Sequence, residues 1–140
     1  MKQNNIYFHS ECSFLLTNEE KIAQKLSQVL ILEKKDLDTI NYIFCDDEYL
    51  LNKNITFLSH DSYTDIITFD YSKDNLICAD IFISIERVKE NSLTFKTVFN
   101  DELERVMIHG ILHLVGYDDK TKKDKDIMRE KENLYLALNT

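Results

Sequence analysis

Between Glu102 and Asp119 the sequence runs E-L-E-R-V-M-I-H-G-I-L-H-L-V-G-Y-D-D, a stretch that holds two of the four histidines and both glycines of the chain. His109 and His113 are four residues apart, so on a helix of 3.6 residues per turn their side chains share one face, one turn apart. Two imidazoles at that spacing can grip one metal ion. Gly116 can take the left-handed backbone that ends a helix and turns the chain aside, and three residues later Asp119 comes within reach of the same ion. The pattern H-x-x-x-H-x-x-G-x-x-D has the ligand spacing of the metzincin signature without its glutamate, because Gly110 stands where the catalytic carboxylate would be.

Two histidines at this spacing also occur as ordinary polar residues at the edge of an apolar helix. Three features favour a metal. Only 2 of the 140 residues are glycine, where average usage of about 7% would give roughly ten, and both fall inside the pattern. Gly110 costs about 1 kcal/mol relative to alanine in a helix interior, so something must approach closely there. Asp119 sits at the spacing of a third ligand. Three protein ligands leave a fourth position for water, whose pKa a zinc ion lowers toward about 7.

The elements that must carry this site follow from pattern. Residues 6–9, 40–45, 63–70 and 76–84 read as strands, the last two apolar on both faces as inner strands are. Thr17 and Glu20 make an S/T-x-x-E capping box before a helix whose apolar positions Ile22, Ala23, Leu26, Val29 and Leu30 recur up to about Lys34. Asp46 and Asp47 would cap a short helix carrying Tyr49, Leu50 and Leu51. Residues 60–63 read as loop and 85–90 as a helical turn. The motif helix begins between Ser92 and Asn100, and from Val106 to Val115 it is apolar nearly all round except at the histidines, as a buried helix is. A last helix, from about Thr121 to Leu138, would turn Ile127, Met128, Leu134, Tyr135 and Leu138 inward. The order β-α-β-α-β-β-α-α implies a single α+β domain over residues 1–140, α/β-like, with a small mixed four-stranded sheet and a central buried helix bearing the histidines.

Composition narrows the function classes. The net charge of −8 argues against a general nucleic-acid coating protein, whose affinity rests on clustered cations. A local patch remains open: Lys120, Lys122, Lys123, Lys125, Arg129 and Lys131 follow the motif, interrupted by Asp124, Asp126 and Glu130. Cys12, Cys45 and Cys78 are odd in number and lack C-x-x-C spacing, which suits reduced, mostly buried thiols in a cytoplasmic protein. No signal-peptide pattern or run of 18 apolar residues occurs, so no membrane role is expected. The oligomeric state stays open.

The segment from His109 to Asp118, H-G-I-L-H-L-V-G-Y-D, resembles the H-G-x-L-H-L-x-G-Y-D signature of the YbeY family, bacterial rRNA maturation factors and endoribonucleases. Thr64 to Phe69, T-D-I-I-T-F, is similar to the family's T-D-V-L-S-F, and Ala79 to Ser84, A-D-I-F-I-S, to its G-D-I-x-I-S. The resemblance covers nearly the whole chain. It implies one zinc ion per chain held by His109, His113 and Asp119, and a single-strand-specific endoribonuclease acting in 16S rRNA 3′-end maturation and ribosome quality control. Ribosomal RNA, the ribosome and ribosome-associated proteins are the implied partners. Two positions depart from the family. Its third ligand is usually a histidine, where Asp119 stands here; a carboxylate oxygen also suits zinc, but its charge makes the ion a weaker Lewis acid. Its arginine before T-D is matched by Leu58, which leaves His60 as the nearby residue able to supply a proton or positive charge. Asp118 is a candidate to orient a ligating histidine, Tyr117 a packing residue, and Asp65 and Asp80 candidates for the site wall. Water and the RNA 2′-hydroxyl both remain available as nucleophile. The alternatives are a ribosome-assembly factor with a structural metal and, through the ligand spacing, a metallopeptidase.

Overall fold

A computed structural model describes residues 5–58 and 64–138. The elements are β1 (Ile6–Ser10), α1 (Glu19–Leu32), β2 (Asp36–Cys45), α2 (Asp47–Leu58), β3 (Ile66–Asp70), β4 (Leu76–Ser84), α3 (Ile85–Thr94), α4 (Phe99–Leu114) and α5 (Lys122–Leu136). The strands form one mixed sheet in the order β1-β2-β4-β3, with β1, β2 and β4 parallel and β3 antiparallel to β4. This is the expected α+β domain with one helix more, because the turn at 85–90 runs on as α3. Among the described residues no helix is long and apolar enough to cross a membrane.

Alternation along the strands decides which face carries the core. Ile40, Tyr42 and Phe44 on β2 and Ile77, Ala79, Ile81 and Ile83 on β4 are buried on one face, under Ala23, Leu26, Val29 and Leu30 of α1 and Leu103, Met107, Ile108 and Ile111 of α4. The Tyr42 hydroxyl donates to the Met107 carbonyl oxygen at 2.9 Å, joining α4 to the middle of the sheet. On the opposite face α2 covers Cys45, Ile67, Phe69 and Phe82 through Tyr49 and Leu50. β3 is therefore apolar on both sides although it lies at the sheet edge, not inside as its composition suggested. Its Ile66 packs under α4, and α2 covers Ile67.

Several local expectations fail for identifiable reasons. The Thr17–Glu20 box does not form: Asn18 is the N-cap of α1, in the left-handed region at φ 59°, without a side-chain cap bond. A complete capping box occurs instead at Thr121 and Asp124, opening α5. Asp46 does cap α2, its carboxylate accepting from the Tyr49 amide at 2.9 Å. In α5 the inward positions are Met128, Glu132 and Tyr135, at helical spacing, while Ile127 and Leu134, one position out of phase, are exposed. Of the thiols, Cys45 alone is buried, which pushes its pKa up to about 12; Cys12 and Cys78 are half-buried, and all three are free.

Candidate metal centre

Gly110 explains how α4 reaches its place. A Cβ there would lie 3.1 Å from Ile66 Cδ1 and 3.3 Å from Ile81 Cδ1, so the helix seats its glycine directly on the sheet. The neighbouring face then carries His109 and His113, with their Nε2 atoms 3.0 Å apart and their rings nearly perpendicular at 79°.

The chain leaves α4 through a Schellman turn. The Tyr117 amide donates to the Leu112 carbonyl at 2.9 Å and the Gly116 amide to that of His113 at 3.2 Å, with Gly116 at φ +110°. No atom lies within 4 Å of a Cβ built on Gly116, so the backbone angle rather than space demands glycine. The turn brings Asp119 back, its Oδ2 lying 3.4 Å from Nε2 of both histidines. Tyr117 does more than pack: its hydroxyl donates to Glu33 Oε1 at 2.9 Å, and Glu33 Oε2 accepts from Tyr135 and, at 3.4 Å, from Lys131. This ties the turn to α1 and α5.

Glu132 is the functional residue that sequence reasoning missed. Its Oε2 lies 2.7 Å from His109 Nδ1 and its Oε1 accepts from Arg105 Nη1 at 2.9 Å, with the side chain only 6% exposed. Arg105 also donates to Asn133 Oδ1 at 2.8 Å. A carboxylate at Nδ1 places the neutral ring's proton on that nitrogen, leaving the Nε2 lone pair for a metal. Burial works against the charge of Glu132, but the hydrogen bonds and charges of His109 and Arg105 outweigh it and hold the carboxyl below its usual range. Burial likewise works against a charged His109, and Glu132, Asp119 and Asp65 overcome it, so its pKa is raised. The signal in the sequence was an acid in phase with Met128 and Tyr135.

The other candidates separate. Asp118 is exposed, and Glu132 takes the orienting part expected of it. Burial raises the pKa of Asp65, which the charge of His109, then a backbone hydrogen bond, then Arg87 oppose, so this carboxyl lies within the electrostatic reach of His109, with Asn91 Nδ2 donating to it at 3.5 Å. Asp80 does not: it points to the opposite face of the sheet, where Asn41 Nδ2 donates to it at 3.2 Å. His60 lies outside the described residues.

The donor set suits a metal ion. One atom from each of His109, His113 and Asp119 can be chosen so that all lie within 4.8 Å of one another. A tetrahedral ion with bonds of ~2.0 Å to nitrogen or oxygen requires separations of ~3.3 Å between ligand atoms. The observed 3.0, 3.4 and 3.4 Å match that.

Residues 5–139 match the family model described as Endoribonuclease YbeY. The chain is 49% identical to Endoribonuclease YbeY of Flavobacterium johnsoniae over 133 residues, covering 95% of this chain and 96% of that protein. It is 52% identical to the protein of the same description from Parabacteroides distasonis over 132 residues, 94% of this chain and 93% of that one. The solution structure of TM1509 from Thermotoga maritima superposes with a TM-score of 0.67 at 30% identity, covering 94% of this chain and 86% of that one. With its full fold and motif segment accounted for in this way, the chain belongs to the YbeY family of endoribonucleases, which cut phosphodiester bonds in RNA.

Proposed function

We propose that this protein is a zinc-dependent endoribonuclease that cuts single-stranded RNA, with the 3′ end of 16S rRNA as its natural substrate and ribosome quality control as its wider setting. The site of action is the cytoplasm, on or beside the ribosome with its associated proteins. The observation that carries the reading is the three-donor cluster of His109, His113 and Asp119, in which Glu132 readies His109 to ligate.

Bound there, zinc supplies Lewis acidity that offsets negative charge developing on a phosphodiester. The chain's residues prepare that role. Glu132 holds the His109 tautomer, Arg105 holds Glu132, and the Gly116 turn fixes Asp119 opposite both rings. With Asp65, Asp119 and Glu132 about it, and with Arg105 and Arg87 each already paired to a carboxylate, the surroundings are acidic, so an RNA phosphate is repelled until a cation is present. Cleavage is accordingly metal-dependent. The peptidase alternative loses its support because position 110 faces Ile66 and Ile81, not the donor cluster, and offers no general base. The assembly-factor alternative calls for a closed site with four protein ligands, whereas the cluster among the described residues has three.

The test incubates zinc-loaded protein with a precursor rRNA fragment and, separately, casein. Wild type is expected to cut the RNA and spare the casein, and His109→Ala to cut neither. A 2′-deoxy substitution at the mapped cut site assigns the nucleophile: cleavage that survives it uses water, and cleavage that stops uses the 2′-hydroxyl. Equal RNA cleavage by wild type and His109→Ala would trace the activity to a contaminant and favour the assembly factor.

A further inference from the structure

The phase of α5 is set by two contacts. Glu132 meets His109 and Arg105 on one flank, and Tyr135 and Lys131 reach Glu33 of α1 on the other. At about 100° per residue, Lys125 and Arg129 lie about 20° and 60° from Glu132, away from the Tyr135 side, and Lys122 about 80°. Lys123, by the same count, lies about 180° away, on the far side of the helix.

Position along the axis agrees. Because α5 starts at Lys122, three residues after Asp119, its first turns stand between Glu132 and the ligand turn. Lys125 and Arg129 are exposed, about 6 Å apart along the helix, on the flank of Glu132 turned away from the Glu33 network. Their chemistry is also distinct. Lys25, Arg87, Arg105 and Lys131 each pair with a carboxylate, whereas among the described residues Lys122, Lys125 and Arg129 pair with none. In a chain with 25 acids against 17 lysines and arginines, Lys122, Lys125 and Arg129 outnumber Asp126, the one acid on their flank, and leave it a locally positive track beside an acidic centre.

We propose that Lys125 and Arg129, with Lys122 at the outer end, bind consecutive phosphates of single-stranded RNA and lead the strand to the metal centre. The proposal rests on the endoribonuclease reading and adds to it the surface that takes the substrate. It also divides the basic cluster: Lys131 belongs to the Glu33 network, and Lys123 faces away from the centre.

Steady-state cleavage of a fluorescent single-stranded RNA by zinc-loaded protein, at salt from about 50 to 200 mM, tests it. Lys125→Ala/Arg129→Ala should raise KM with kcat and Tm retained. Each phosphate contact on a single strand contributes about 0.7 to the slope of log affinity against log salt, so the pair should lower that slope by about 1.4. The KM ratio of variant to wild type should then shrink about sevenfold across that fourfold range of salt. Lys21→Ala/Lys123→Ala removes the same charge away from the track and should leave KM within about twofold of wild type. An unchanged salt slope in the first pair, or equal effects of the two pairs, overturns the track while the endoribonuclease reading stands. A zinc-loaded wild type that leaves the RNA whole overturns both.

Discussion

Replacing Glu132 with glutamine keeps the size of the side chain and removes one acceptor. Both carboxylate oxygens are in use, one at 2.7 Å from His109 Nδ1 and the other at 2.9 Å from Arg105 Nη1. If the amide oxygen stays with Arg105, the amide NH2 faces Nδ1, which must then accept. The ring proton moves to Nε2, 3.4 Å from Asp119 Oδ2, and blocks the lone pair that would bind zinc. If the amide turns over, its NH2 opposes the Arg105 guanidinium. Loss of such an orienting partner costs 10–100-fold in metal affinity, about 1.4–2.7 kcal/mol. Glu132→Ala should weaken zinc by a similar factor and also destabilise the metal-free protein by about 1–2 kcal/mol, since it leaves Arg105 with Asn133 alone. That figure is set below the cost of a fully buried pair because the Arg105 side chain is 19% exposed. Competition with a chromogenic chelator gives the zinc affinities, and thermal unfolding of the metal-free proteins gives the stabilities. Glu132→Gln that loses Tm yet binds zinc within about twofold of wild type would make Glu132 a structural brace and refute the tautomer argument.

Asp119→His should retain zinc, since an imidazole nitrogen is as good a zinc ligand as a carboxylate oxygen, whereas Asp119→Ala should weaken it far more than Asp118→Ala; the reverse order in a chelator titration would assign the third ligand to Asp118. Burial works to raise the pKa of Glu33, but Tyr135, Tyr117 and Lys131 together bring it below its ordinary 4.5. A depressed carboxyl contributes stability that is fully present above that value and is lost as pH falls through the folded pKa. Thermal unfolding of metal-free protein should therefore show an acid loss below about pH 4.5 that Glu33→Gln makes shallower, and an identical acid limb in the variant would count against it. Gly110→Val should lower Tm, because its methyls meet Ile66 and Ile81 where even a Cβ has 3.1 Å; crowding of this kind costs about 1–3 kcal/mol, and a Tm at or above wild type would mean that α4 shifts without cost.

The centre was legible where it is local. His109, His113, Gly116 and Asp119 lie within eleven consecutive residues, and helix spacing plus one obligatory turn brings them together without knowledge of the rest of the fold. Glu132 was not legible in the same way, because its meeting with His109 depends on how α5 packs on α4, and the phase of α5 is blurred by apolar Ile127 and Leu134 on its exposed side. Strand identity was readable from short apolar runs between polar turns, whereas the edge position of β3 was hidden by α2, which makes an edge strand look like an inner one. Thr17 and Glu20 have the spacing of a capping box, but the chain enters α1 one residue later through Asn18. Gly110 was read as a close approach that favours a metal; the close approach exists, but it is to Ile66 and Ile81 of the sheet and not to an ion.

The turn at Gly116 bears on how the enzyme and its ion come together. The two backbone hydrogen bonds that set it, and the Tyr117 to Glu33 contact that anchors it, involve no ligand atom. In small zinc domains the ion assembles the fold and its removal unfolds the chain; here the donors are arrayed by a core that stands independently of them. Metal exchange should thus be a reversible surface event in which little chain ordering opposes loading. On the metal-dependent reading, supply of the ion, not refolding, would govern how much of the protein is active at any moment, and one population could be idled and restarted many times without being remade.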